Sequence, residues 1–278
     1  MNNVLVTGAN GMLGQDLCPI LQDFGYEVIK TDIDTMDITN INSVKNKIME
    51  ENPDIVIHCA AYTNVDKAED DLVNATLINK FGTENVAKIC GENNIILVYI
   101  STDYVFDGKK DCAYKPDDKT NPLNNYGLTK LQGEQAVQKY CKKYYITRTS
   151  WLYGFYGKNF VETMISLADK PEIKVVDNQT GCPTWTVDLS KGIVKLLQDN
   201  AKYGIYHICG GGSTSWYGFA KKIFELANLE ASLVHCKTED FLRPAKRPEY
   251  SIMDNNDICR NWELALKDYM KLREEKIK

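Results

Sequence analysis

One stretch decides the fold of this chain: Val4-Leu5-Val6-Thr7-Gly8-Ala9-Asn10-Gly11-Met12-Leu13-Gly14. Its first residues form an apolar run that is too short for a helix. Three glycines follow at intervals of three residues, and apolar residues then recur at helical spacing through Leu17, Leu21 and Phe24. The pattern predicts a strand, a tight turn and a helix, in that order.

A glycine-rich turn between a strand and a helix suits a dinucleotide. One glycine takes a backbone conformation closed to other residues, one lets the main chain approach a pyrophosphate, and one lets the helix pack on the strand. The helix N-terminus then offers free N–H groups and a positive dipole end to the phosphates. The spacing G-x-x-G-x-x-G departs from the usual G-x-G-x-x-G and is weak evidence by itself.

The second predicted strand strengthens this interpretation. It runs from Glu27 to Thr31 and ends at Asp32, about twenty residues beyond the turn, where an acid can bond the adenosine ribose hydroxyls. The alternative is an ordinary turn followed by a surface aspartate. The sequence favours a dinucleotide site over that alternative.

Composition narrows the class of protein. The 278 residues suffice for one large α/β unit, or for a main domain with a smaller appendage. A net charge of −5, without a basic patch, argues against binding nucleic acid. There is no long apolar run and no signal-peptide pattern, so we expect a cytoplasmic protein with no membrane contact. The nine scattered cysteines form no C-x-x-C pair, which predicts free thiols and no metal site.

Predicted strands and helices alternate along the chain. Continuous apolar strands separated by helices predict a Rossmann-type, doubly wound parallel sheet. Pro19 falls inside the first predicted helix, which leaves open whether that helix kinks or ends early. The later predicted elements are a helix capped by Thr39 or Asn40 and reaching Met49, a strand Ile55–His58, a helix Leu72–Cys90, a strand Ile95–Ser101, a helix Tyr126–Tyr140, a strand Tyr145–Thr149, a helix Phe160–Leu167, a strand Ile173–Val176, a helix Val187–Leu197, a strand Ile205–Ile208 and helices from Tyr217 to Ala227 and from Trp262 onward.

A Tyr and a Lys mark the centre of the chain. Tyr126 and Lys130 lie four residues apart on a predicted helix, so both face the same way and can share one ligand. A nearby ammonium favours the ionised phenol, and we therefore expect Lys130 to lower the pKa of Tyr126. By itself the pair is common on surface helices. The glycine turn upstream, together with Ser101-Thr102 at the end of a strand, favours a catalytic pair.

These features resemble the extended short-chain dehydrogenase/reductases. Longer stretches resemble, more narrowly, the dTDP-4-dehydrorhamnose reductase family, and the match runs over nearly the whole chain. They are residues 60–69 (AAYTNVDKAE), 101–108 (STDYVFDG), 148–154 (RTSWLYG), 177–184 (DNQTGCPT) and 247–251 (RPEYS).

The resemblance implies an NAD(P)H-dependent oxidoreductase that acts on a dTDP-sugar. In that family a hydride passes to C4 of dTDP-4-dehydrorhamnose, which is the last step of dTDP-L-rhamnose biosynthesis. Tyr126 matches the family's proton donor, Lys130 the residue that holds the ribose and tunes the phenol, and Thr102 the hydroxyl that bonds the sugar carbonyl. The hydride chemistry itself belongs to the cofactor.

Two sets of binding residues follow from the motifs and the resemblance. The expected cofactor residues are Gly8, Asn10, Gly11, Met12, Leu13, Gly14, Asp32, Asp37, Ile38, Cys59, Ala60, Ala61, Tyr62, Ser101, Tyr126 and Lys130. The expected substrate residues are Thr102, Asp103, Tyr126, Trp151, Asn159, Gln179, Thr184 and Arg247. We expect residues 1–150 to form the cofactor-binding domain and residues 151–278 mainly a substrate-binding region, with some segments returning to the sheet.

Several alternatives stay open. Related dehydratases carry Thr-Asp-Glu where this chain has Thr102-Asp103-Tyr104, and Tyr104 cannot replace that glutamate as an acid or base. Another nucleotide-sugar reductase or epimerase is a further candidate, as is a non-catalytic subunit resembling the regulatory subunit of methionine adenosyltransferase. Asp32 favours NADH over NADPH because it would repel a 2′-phosphate, and Lys30 softens that repulsion. The protein is expected to be a monomer or a homodimer.

Overall fold

The first half of the chain alternates strands with helices. The structure is a computed structural model, and it describes residues 2–277. The elements of this half are β1 (Asn3–Thr7), α1 (Met12–Asp23), β2 (Glu27–Thr31), α2 (Ile41–Glu51), β3 (Ile55–His58), α3 (Lys67–Asp70), α4 (Leu72–Thr76), a π-helical stretch (Leu77–Gly82), α5 (Thr83–Glu92), β4 (Ile96–Thr102), a 3₁₀ turn (Asp103–Val105), α6 (Asn125–Tyr140) and β5 (Tyr144–Thr149).

The second half contains shorter strands. Its elements are β6 (Leu152–Tyr153), α7 (Phe160–Ser166), β7 (Ile173–Val176), β8 (Thr180–Gly181), β9 (Thr184–Trp185), α8 (Thr186–Gln198), β10 (Gly204–His207), β11 (Thr214–Ser215), α9 (Trp216–Ala227), β12 (Leu233–Cys236), a 3₁₀ turn (Thr238–Asp240) and α10 (Trp262–Ile277). The long elements agree with the predicted ones to within two residues at most ends. The two-residue strands carry too few side chains to show an alternating pattern, and periodicity did not predict them.

A six-stranded parallel sheet forms the centre of the molecule. Its strand order is β10-β5-β4-β3-β1-β2, and every neighbouring pair runs parallel. Val4 and Val6 face a cluster that includes α1 and α8, whereas Leu5 faces a second cluster with α2, α5 and α6. Side chains of one strand therefore feed both layers of helices. The predicted doubly wound Rossmann-type fold is confirmed.

Segments beyond residue 150 return to this sheet. Strand β10 pairs with β5 at one edge, and α8 packs against α1. A third apolar cluster, containing Trp185, Phe219, Trp262 and Tyr269, lies outside the sheet and joins α9 to α10. The division at residue 150 itself stays a prediction.

Local signals explain the helix ends. The side chain of Asn40 caps α2 by accepting hydrogen bonds from the N–H groups of Asn42 and Ser43 at 3.0 and 3.3 Å. Of the two predicted caps, Asn40 is therefore the one used. Pro19 lies inside α1, and the helix continues past it to Asp23.

The cysteines are free thiols. Seven are buried, Cys59 is partly exposed and Cys112 is exposed. Among residues 2–277, no helix combines the length and apolarity needed to span a membrane.

Candidate active site

The glycine turn packs against the end of β3 with no room for side chains. Gly8 has a φ of +64°, and a Cβ on it would lie 2.8 Å from the Ala60 backbone. A Cβ on Gly14 would lie 2.5 Å from the carbonyl oxygen of Gly8. Gly11 precedes α1, and among residues 2–277 no side chain caps the first N–H groups of that helix. Those N–H groups are therefore available to a phosphate.

Asp32 lies beside the glycine turn. Its Oδ2 accepts a hydrogen bond from the Asn10 N–H at 3.0 Å, and its Oδ1 accepts one from the Ile33 N–H at 2.8 Å. The carboxylate is thereby fixed at the end of β2, beside the turn. A ribose hydroxyl is the kind of donor that such a held carboxylate accepts.

A cavity of about 1020 Å³, here called the main cavity, runs from the glycine turn to Trp151. The carboxyl ends of β1, β3 and β4 open into it, as expected for ligand sites on such sheets. Its walls include all but one of the predicted cofactor residues, namely Gly8, Asn10, Gly11, Met12, Leu13, Gly14, Asp32, Asp37, Ile38, Cys59, Ala60, Ala61, Ser101, Tyr126 and Lys130. The exception is Tyr62, whose hydroxyl donates to the Asp71 carboxylate at 3.1 Å.

The predicted catalytic side chains lie on two elements that meet at this cavity. Thr102 ends β4, where its hydroxyl donates to Oδ1 of Asp103 at 3.0 Å. Tyr126 and Lys130 lie in the first turns of α6, whose N-terminus is capped by Asn124. All three line the main cavity. Lys130 is buried, with Nζ 4.2 Å from the centroid of the Tyr99 ring.

The electrostatics of the Tyr–Lys pair differ from the prediction. Burial raises the pKa of Tyr126 to about 12, while the Thr102 hydroxyl opposes that rise and the Asp103 carboxylate adds to it. Burial also lowers the pKa of Lys130 to about 7, against the opposing effect of Glu134. The expectation that Lys130 lowers the pKa of Tyr126 was wrong, because desolvation destabilises the charged forms of both groups.

Asp103 is a further ionisable group of the site. Burial raises its pKa to about 7, and the hydroxyls of Ser251 and Thr102 oppose that rise. Its Oδ2 atom is buried and has no hydrogen-bond partner among residues 2–277. Near neutral pH this carboxyl is therefore divided between its neutral and charged forms.

The chain is similar to known proteins over almost its whole length. A family model described as the RmlD substrate binding domain matches residues 1–277. The chain belongs to the RmlD family. The structure of a dTDP-4-dehydrorhamnose reductase from Clostridium acetobutylicum is 44% identical, with a TM-score of 0.95 over 98% of this chain and 99% of that one.

Two other RmlD-like proteins are nearly as similar. A dTDP-4-dehydrorhamnose reductase from Bacillus anthracis, solved in complex with NADP, is 43% identical, with a TM-score of 0.94 over 98% of this chain and 99% of that one. The spore coat polysaccharide biosynthesis protein SpsK of Bacillus subtilis is 41% identical over 98% of both sequences. The family predicted from the motifs is confirmed.

In this RmlD-family chain a second cavity, of about 630 Å³, lies beside the main one. Tyr104 and Trp216 line both cavities. Basic side chains are prominent in the walls of the second cavity, namely Lys174, Arg243, Lys246 and Arg247. These basic side chains outnumber the acidic Glu239 in the same wall, so the second cavity suits an anionic group of a ligand.

Arg247 is held by a carboxylate from the other half of the chain. Its Nη1 and Nη2 donate to Oδ1 and Oδ2 of Asp66 at 2.9 and 3.0 Å, and Arg243 donates to the same carboxylate at 3.1 Å. The Arg247 guanidinium also opposes the effect of burial, which raises the pKa of Tyr104. Tyr104 in turn packs edge-on against Tyr126, with 5.8 Å between ring centroids. These contacts join the second cavity to the predicted proton donor.

The other predicted substrate residues divide into two groups. Trp151 lines the main cavity, and Gln179 lines the second. Asn159 and Thr184 are not among the described residues that line either cavity. Asn159 caps α7 and donates to the Gly154 carbonyl at 2.7 Å, whereas the Thr184 hydroxyl donates to the Cys182 carbonyl at 3.1 Å. Substrate binding by these two residues stays a prediction.

Sequence reasoning missed a buried ion pair behind the site. The Arg148 guanidinium donates to both oxygens of Glu134 at 2.9 and 2.8 Å, and the Ser101 hydroxyl donates to the same carboxylate at 2.5 Å. Both charged side chains are nearly inaccessible. Glu134 lies on α6, one helical turn beyond Lys130, whereas Arg148 lies on β5 and Ser101 on β4. These contacts therefore fix α6 against β4 and β5. An arginine inside an apolar strand was the available signal, since such a charge requires a partner.

Proposed function

We propose that this protein reduces the C4 ketone of dTDP-4-dehydrorhamnose with a reduced nicotinamide dinucleotide and forms dTDP-rhamnose. The observation that carries the proposal is the arrangement of the main cavity. It is lined both by the glycine turn and by Thr102, Tyr126 and Lys130. Two relatives above 40% identity that are named dTDP-4-dehydrorhamnose reductase support the choice of substrate.

The residues present fit a dinucleotide. Side chains at Gly8 and Gly14 would collide with the Ala60 backbone and the Gly8 carbonyl, so glycine at both positions allows the tight turn that leads into α1. The N–H groups at the start of α1, which no side chain among residues 2–277 caps, would bind the pyrophosphate. Asp32 would hold the adenosine ribose, and Lys130 would hold the nicotinamide ribose. When bound, the reduced cofactor supplies the hydride.

The chain itself supplies the proton. A ketone that gains a hydride becomes an alkoxide, which requires an acid within hydrogen-bonding distance. The Tyr126 phenol is that acid, and the Thr102 hydroxyl shares the same oxygen and orients it. A pKa of about 12 keeps Tyr126 protonated at neutral pH, so the donor is ready before the reaction. Lys130 in its charged form then stabilises the phenolate that is left behind.

The second cavity would take the nucleotide diphosphate. Arg247 has a planar guanidinium whose Nη1 and Nη2 donate to Asp66 and the Ala245 carbonyl, so the edge that carries Nε and the second N–H of Nη2 would donate to a diphosphate oxygen pair. Asp66 fixes that guanidinium in place before the substrate arrives. Tyr104, which lines both cavities, would lie where the sugar joins the diphosphate.

The decisive assay follows oxidation of the reduced cofactor by purified protein with dTDP-4-dehydrorhamnose, generated in place by the preceding enzymes. NADH and NADPH are supplied separately, and the product is identified by mass and by sugar analysis. We expect rapid oxidation that yields dTDP-rhamnose. Tyr126→Phe serves as the control that retains the cavity but lacks the acid. Cofactor binding without oxidation would contradict the proposal and redirect the search to other dTDP- and UDP-linked keto sugars.

The proposal also covers the cellular location and the oligomeric state of the protein. A reaction that depends on NAD(P)H and a nucleotide sugar is expected in the cytoplasm. Sedimentation of the purified protein would separate the two expected states, monomer and homodimer.

A further inference from the structure

Trp151 has an unusual backbone conformation at the edge of the main cavity. It follows the end of β5 by two residues and has a φ of +47°. A residue with a large side chain seldom adopts positive φ, so the surrounding structure must compensate for the strain. The contacts that hold the Trp151 indole in place must supply that compensation.

One face of the Trp151 indole is covered by Trp216. The ring centroids are 3.5 Å apart and the ring planes differ by 5°. Trp216 is itself fixed on three sides. Its Nε1–H donates to Oε1 of Gln179 at 3.2 Å, it is the first residue of α9, and Phe160 packs against it with 4.5 Å between ring centroids.

Gly181 also contacts the Trp151 indole. A Cβ on Gly181 would lie 2.5 Å from Cε2, 2.6 Å from Nε1 and 2.8 Å from Cζ2 of Trp151. Real Cβ atoms do not approach a ring this closely, so any side chain larger than that of glycine would displace the indole. The nearest obstacles to a side chain at Gly181 are thus all atoms of Trp151.

A short antiparallel pair brings these two neighbours of Trp151 together. Strand β11 pairs with β8, with Thr214 opposite Gly181 and Ser215 opposite Thr180. Ser215 then caps α9, because its hydroxyl oxygen accepts from the Gly218 N–H at 3.0 Å. This register continues to Trp216 and Gln179, which are hydrogen-bonded to each other, and so places Trp216 two positions along from the Thr214–Gly181 pair. The two-residue strands β8 and β11 therefore position both neighbours of the Trp151 indole.

We propose that Trp216 is a positioning residue that, together with Gly181, holds the Trp151 indole in place for the reacting sugar. The inference rests on the proposed function, since it assigns these residues to the orientation of the nucleotide sugar. Trp216 lines both cavities, whereas Trp151 lines only the main cavity. The stack therefore also connects the place of hydride transfer with the place of the nucleotide.

The first test is a double-mutant cycle in steady-state kinetics. Trp216→Ala removes the stack, and we expect kcat/KM for the nucleotide sugar to fall roughly three- to tenfold, as for the loss of an aromatic pair. The Kd for the reduced cofactor should stay within about twofold of that of the parent, since a positioning role leaves cofactor binding untouched. Trp216→Phe should restore most of the loss. In a Trp151→Ala background, Trp216→Ala should have almost no further effect, because a residue that acts through another loses its influence when that residue is gone.

The second test uses Gly181→Ala in the same two backgrounds. In the parent the new methyl group displaces the indole, so we expect a loss of about tenfold in kcat/KM and a lower Tm. In the Trp151→Ala background the methyl group has room, and both effects should largely disappear. Gly192→Ala is the matched control, since its Cβ would lie 2.6 Å from Cγ2 of Ile208, in the apolar cluster under α8. That variant should lower Tm while leaving kcat/KM of the folded enzyme unchanged.

The outcomes separate this inference from the proposed function. A parent protein without reductase activity refutes the proposed function and, with it, the positioning role. An active parent in which Trp216→Ala and Trp151→Ala lose activity additively refutes the positioning role alone. So does a Gly181→Ala protein that is equally damaged with and without Trp151. If Trp216→Ala does not fold, the Gly181→Ala pair and Trp216→Phe still decide the question.

Discussion

Cofactor affinity should depend on pH through Lys130. Burial lowers the pKa of this lysine from 10.5 to about 7 in the protein without ligand. The ribose hydroxyls of a bound dinucleotide accept hydrogen bonds best from the charged ammonium, so binding favours the protonated form. Affinity is then nearly full at pH 6 and below and is lost as the pH rises through 7, because binding must restore the missing proton.

The size of the effect follows from the protonated fraction. With a pKa of about 7, that fraction is roughly nine tenths at pH 6, one half at pH 7 and one tenth at pH 8. The Kd for NADH should therefore rise about tenfold between pH 6 and pH 8, and binding at pH 8 should take up about 0.9 proton. A lysine with the ordinary pKa of 10.5 would give no change over this range.

Fluorescence titration with NADH across pH 6–9 measures the Kd, and calorimetry in two buffers of different ionisation enthalpy counts the protons. Lys130→Met should bind more weakly and lose the pH dependence. Asp103→Asn is the second control, because Asp103 also has a pKa of about 7 and lines the same cavity. A Kd that is constant from pH 6 to pH 9 would refute the reasoning, as would a pH dependence that Asp103→Asn abolishes and Lys130→Met retains.

Three further predictions follow from the site. Tyr126→Phe should lower kcat about 10² to 10⁴-fold, the usual contribution of a positioned acid, with the Kd for NADH unchanged in titrations; near-normal turnover would identify another acid. The parent should use NADH at least as well as NADPH, and Asp32→Ala should shift the ratio of kcat/KM toward NADPH; a hundredfold NADPH preference in the parent would contradict the role of Asp32. Glu134→Gln should destabilise the fold by about 3 kcal/mol or more in urea unfolding, because Arg148 is left buried without a counter-charge. A change below about 1 kcal/mol would show that the pair contributes little.

Most of the cofactor half could be predicted from the sequence. Buried parallel strands are continuous apolar runs, and the glycines and Asp32 stand at fixed distances from them, so local pattern and chemistry coincide. The same logic placed Tyr126 and Lys130 on one face of α6. The ends of these elements depend on short-range signals that can be recognised in the sequence, such as the helix-capping residue Asn40.

The substrate half was harder because its contacts join distant parts of the chain. Asp66 meets Arg247 across 181 positions, and Trp151 meets Trp216 through a pairing of two-residue strands. Neither contact produces a periodic pattern in the sequence. Asn159 and Thr184 were predicted to bind substrate, but in the structure Asn159 caps a helix and the Thr184 hydroxyl supports the backbone, roles that the sequence alone does not distinguish from binding.

The pKa values show why residue type alone could not give the electrostatics. A Tyr and a Lys one turn apart suggest mutual stabilisation of charge, yet burial is the largest influence on the pKa of both Tyr126 and Lys130 and disfavours the charged form of each. A site with this balance favours neutral forms until a ligand brings charge and hydrogen bonds to it. The cofactor and the diphosphate carry that charge. If cofactor binding restores the ammonium of Lys130, as the pH titration tests, that positive charge favours the ionised form of the nearby Tyr126 phenol and makes it a better acid in the complex.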